Sequence, residues 1–85
     1  SEKPFKAKLK NKFSKKKNLA RFLKAKLTST NDGILEIEVL KGQESFRIKS
    51  FVESNVWGFF KDGKSSFKKE ELIDCYSSIR PNMIF

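Results

Sequence analysis

The sequence predicts an all-β domain, barrel-like or a sandwich, of about six short strands with one short helical turn. Three observations predict it. Apolar and polar residues alternate with a period of two along several stretches. Three turns containing glycine separate such stretches. Nine phenylalanines among 85 residues supply most of one core. A chain of this length makes one domain, residues 1–85, with a single core and no enclosed second chamber.

From Pro4 to Phe13, the apolar Phe5, Ala7, Leu9 and Phe13 alternate with Lys6, Lys8, Lys10 and Lys12. That pattern predicts a half-buried strand with an all-lysine outer face. Such a row also keeps an edge strand from pairing with other chains. Ser14–Asn18 reads as a polar turn. Residues 19–30 resume extended structure, with Leu23, Ala25 and Leu27 on one face and Phe22, Lys24 and Lys26 on the other. Asn31-Asp32-Gly33 is a strong turn signal, because Asn and Gly tolerate positive φ. The next strand, Ile34–Leu40, turns Leu35, Ile37 and Val39 one way. Its Glu36 and Glu38 are placed to pair across the hairpin with Lys24 and Lys26.

Beyond a turn at 41–44, Ser45–Lys49 reads as a short strand. Ser50-Phe51-Val52-Glu53 has capping-box spacing and predicts the helical turn, closed by Asn55. Val56–Phe60 is the most apolar strand, expected to be buried on both faces. Asp62-Gly63 centres a third turn, residues 65–71 read as a polar connector, and Leu72–Ser78 forms the last strand before Pro81.

The inventory for chemistry is thin. With no His, Ser-His and Cys-His pairs and His-containing zinc sites are excluded. The single Cys75 sits in an apolar-rich run and reads as a buried structural thiol. Glu36/Glu38 and Glu70/Glu71 lack the convergence that acid–base or metal chemistry requires and read as solvated surface. No catalytic residue and no metal ligand are therefore assigned. The absence of a disulfide, a membrane-length apolar run and a signal-peptide pattern leads to the expectation of a cytoplasmic domain with no membrane partner.

The net charge of +9 is unevenly spread: residues 1–26 carry +10 and residues 27–85 carry −1. Such a block fits a nucleic-acid patch, a dock for an acidic surface, or a solvated face. Trp57-Gly58-Phe59-Phe60 invites a base-stacking reading. The run contains no Lys or Arg, however, so core is the better reading and nucleic acid is disfavoured.

Taken in order, Arg21–Leu27, Asn31–Leu35, Gln43-Glu44-Ser45, Ser50-Phe51, Asn55 and the apolar strand 56–60 resemble the C-terminal domain of the MoeA/gephyrin family. That family inserts molybdate during molybdenum cofactor synthesis. The resemblance runs from Pro4 to about Ser78. It implies the C-terminal domain of a molybdopterin molybdenumtransferase, lining one wall of the active-site cleft and docked on the parent's remaining domains. The parent is implied to be a homodimer and to use adenylylated molybdopterin, molybdate and magnesium ion, with no cofactor in the isolated domain.

Residue by residue, the resemblance carries substrate-cleft roles to Lys24, Gln43 and Ser45. Lys24 stands where the family's Phe-x-Arg has arginine, keeping the charge without the bidentate fork. Glu44 stands where the family's Gln-Gly-Ser has glycine. The alternative is a stand-alone basic β module that binds nucleic acid or an acidic protein partner through the lysines of residues 6–26.

Overall fold

Side-chain alternation sets the strands in the computed structural model, which describes residues 3–40 and 56–77. β1 (Phe5–Leu9) buries Ala7 and Leu9 and turns Lys6 and Lys8 outward. The extended run does not continue to Phe13. Lys10 N–H donates to the Ile37 carbonyl at 2.8 Å and ends the ladder. Phe13–Ser14 then form a separate two-residue strand, β2. β3 (Arg21–Ser29) and β4 (Leu35–Val39) make the expected hairpin. Its turn carries Gly33 at φ +77°, and the Thr30 hydroxyl accepts from Ile34 N–H at 3.1 Å. β5 (Val56–Phe60), β6 (Ser66–Phe67) and β7 (Leu72–Tyr76) complete the described strands.

Five of these strands close into a barrel in the order β1-β4-β3-β5-β7. Every contact is antiparallel except the β1–β4 seam, where Lys8 faces Glu36 and Leu9 faces Ile37 in parallel. β1 is thus paired on both sides, and its lysines do not protect an edge. The strand β6 lies inside the stretch expected to be a connector, and it pairs with β2 through Phe13↔Phe67 and Ser14↔Ser66. The expected strand 45–49 and the helical turn at Ser50–Asn55 lie outside the described residues.

The interior is narrow, and small residues at Ala7, Ala25 and Gly58 make room for Leu9, Ile37 and Phe60. At Gly58 the space is used up: a Cβ there would lie 3.1 Å from Phe60 Cε2 and 3.3 Å from Ile37 Cδ1. The β2–β6 ribbon packs its two rings on Phe60, with centroid distances of 4.8 Å to Phe13 and 5.1 Å to Phe67. Each large side chain so buried contributes about 1.5–3 kcal/mol. β5 departs from expectation, because only Val56, Gly58 and Phe60 face inward. Trp57 and Phe59 lie half-buried on the outside. A strand in a closed barrel has one interior face, so the period of two applies even to a wholly apolar run.

Candidate functional site

The outside of β3, β5 and β7 carries two rows of side chains set by the barrel register. Lys24 lies opposite Trp57, and Trp57 opposite Tyr76; beside them Phe22 lies opposite Phe59, and Phe59 opposite Asp74. All six are half-buried. Inward-facing Leu23 and Ala25 anchor β3, and this forces Phe22 and Lys24 outward. The rings of Phe22 and Phe59 tilt together at 4.9 Å, and Tyr76 meets Phe22 edge-on at 5.7 Å.

The Lys24 ammonium stands over the Trp57 ring, 3.9 Å from its centroid. Partial burial pulls its pKa below the ordinary lysine value. The π face attracts the charged form and acts in the opposite sense. The result is a cation that rests on an aromatic floor. Lys24 does not face Glu36 or Glu38: Lys26 lies opposite Glu38, and Thr28 opposite Glu36. Chemically, the arrangement offers a charged donor of hydrogen bonds beside apolar rings, which suits a phosphate or oxyanion attached to a planar group.

Gln43 and Ser45 lie outside the described residues. The nearest described residues on either side of them, Leu40 and Val56, both meet β3. Leu40 N–H donates to the Lys24 carbonyl at 3.3 Å, and Val56 pairs with Ala25. Sequence reasoning placed Phe22 and Lys24 on one face but missed their aromatic platform, because it read Trp57 and Phe59 as core. The signal was present in Gly58, whose lack of a side chain marks the crowded, inward side of β5.

Cys75 is fully buried as expected, its thiol donating to the Ile73 carbonyl at 3.4 Å. Burial, and then the Asp74 charge, push its pKa up to about 11. Glu36 and Glu38 lie on the outer face of β4. Glu71 is not simply solvated. Its carboxylate is ion-paired with Lys64 and accepts from Lys68 N–H at 2.8 Å, closing the turn before β7. The lysines of residues 6–26 form no single face. Lys6 pairs with Asp74 at 2.7 Å, Lys10 approaches Glu38 at 3.8 Å, and Lys12 to Lys17 flank β2. Among the described residues no three His, Cys, Asp or Glu side chains converge. The magnesium ion implied for the parent therefore finds no set of ligands there.

Compared with known families, residues 6–77 match the MoeA C-terminal region, domain IV. No curated protein matches the chain. The family match spans all seven described strands except the first residue of β1, so it covers the barrel, the ribbon and the Lys24 platform alike. Belonging to a C-terminal region also makes the domain one part of a larger protein. The chain is a member of the MoeA C-terminal domain family, and so a domain of a molybdenum cofactor biosynthesis enzyme.

Proposed function

We propose that this domain lines one wall of the active-site cleft in a molybdopterin molybdenumtransferase. In this reading Lys24, Gln43 and Ser45 meet the phosphates of adenylylated molybdopterin or the incoming molybdate. The observation that carries it is Lys24 itself: a half-buried cation on an indole floor, at the position where the family has arginine. The ammonium supplies charge and up to three hydrogen bonds to an anion, and the amide and hydroxyl add neutral ones. The domain binds and orients; the catalytic acids and the magnesium belong to other domains of the parent, a cytoplasmic homodimer.

The test is a Lys24→Ala/Ser45→Trp double variant of the full-length protein, with molybdenum cofactor output as the readout. A drop of tenfold or more, with unchanged folding, is expected. Wild-type output from a stable double variant would reject the cleft role.

A further inference from the structure

The β2–β6 ribbon gathers a basic surface that the linear charge distribution does not reveal. It joins residues 12–17 to residues 61–71, which together hold eight lysines against three acids, a net +5. Backbone bonds fix the two loops to each other: Lys15 N–H donates to the Ser65 carbonyl at 2.9 Å, and Gly63 N–H to the Lys17 carbonyl at 2.6 Å. Lys15 Nζ adds a bond to the Lys64 carbonyl at 2.7 Å. Of the three acids, Glu71 is already engaged by Lys64. Lys12, Lys16, Lys17, Lys68 and Lys69 are exposed and make no ion pair among the described residues.

We propose that this ribbon is a docking surface for an acidic protein segment. Charge complementarity selects the partner's sign, and the ribbon's composition selects its class. Of the ribbon's two aromatic residues, Phe67 is buried and Phe13 half-buried, and both pack on Phe60, which leaves little ring surface for base stacking. The two joined segments contain no arginine, the residue suited to bidentate grip on phosphates or guanine edges. What remains is a set of point charges on a backbone frame that is already ordered. That frame suits carboxylates spaced along a peptide and makes binding sensitive to salt. Lys24 is not part of the ribbon, and this proposal stands or falls separately from the cleft role.

The experiment titrates the 85-residue chain with a fluorescent peptide of about twelve residues rich in Glu and Asp, at low and at physiological ionic strength. Two triple variants lose the same charge. Lys16→Gln/Lys17→Gln/Lys68→Gln strips the ribbon; Lys8→Gln/Lys10→Gln/Lys26→Gln strips the β1–β4–β3 side. The ribbon variant is expected to bind at least tenfold more weakly, and the other to stay within threefold of the parent chain. Equal losses in both variants would reduce the effect to net charge and overturn the assignment, as would no binding at low salt. Tighter binding of a single-stranded or duplex oligonucleotide than of the peptide, at matched salt, would replace the acidic protein with nucleic acid.

Discussion

Lys24 and Trp57 face each other directly across the β3–β5 ladder, with the ammonium 3.9 Å from the centre of the indole. A contact this close contributes about 0.5–1 kcal/mol at a partly exposed site. Trp57→Leu should therefore lower the urea-unfolding free energy, and a cycle with Lys24→Met should isolate a coupling of that size. A coupling within error of zero would mean that the two groups are only neighbours.

Gly58→Ala should be damaging despite its size. The added methyl meets Phe60 and Ile37 inside a closed barrel, at a cost of about 1–3 kcal/mol. Gly63 makes the contrasting case. Its φ is +79° and nothing lies within 4 Å of a Cβ built there, so the demand is conformational. Gly63→Asn should be tolerated within a few tenths of a kcal/mol, whereas Gly63→Val should cost about 1–2 kcal/mol. Thermal melts of the three variants distinguish crowding from backbone strain.

Acid should find Glu71. Its carboxyl is held below the usual glutamate range, first by the hydrogen bond from Lys64 and next by the Lys68 N–H. A depressed folded-state pKa adds stability that is fully present above the unfolded value and is lost as pH falls through the folded one. Glu71→Gln should remove up to about 1 kcal/mol near neutrality. It should also flatten the pH–stability curve below the ordinary carboxylate range. An unchanged acid limb would assign the acid sensitivity to other carboxylates.

Cys75 should be silent toward thiol reagents in the native protein. The thiol is fully buried and its pKa is pushed to about 11, so neither access nor thiolate is provided at neutral pH. Labelling should therefore follow unfolding, with a rate that rises with denaturant. Prompt native labelling would show that the β5–β7 side of the barrel opens.

How much of this was legible in the sequence depended on whether a feature was local. β1, β3 and β4 announced themselves because each alternates apolar and polar residues over five positions or more, and β7 stood out as an apolar-rich run before Pro81. The β3–β4 hairpin followed from Asn31-Asp32-Gly33. β6 was invisible, since two residues carry no period, and Phe67 looks like a stray ring in a polar connector until Phe13 lies opposite it. Which side of β5 faces inward also depended on closure, because an unbroken apolar run is equally compatible with a strand buried on both faces. Lys24 was found through a motif. The floor beneath it was not, because Trp57 lies 33 positions away in the chain.

The seam that completes the barrel has a consequence for how the molecule is made. Residue 5 meets residue 75, while the other flank of the same strand runs alongside β4, so the first of the described strands to be synthesised acquires its last neighbour only when the stretch up to β7 has emerged. Until then the β1 backbone has unpaired donors and acceptors beside a lysine-rich exterior, and like charge slows premature pairing between nascent copies. Contacts so distant in sequence are assembled late and slowly. A chain cut before Leu72 therefore leaves two open sheet margins, at β1 and β5, instead of a smaller barrel.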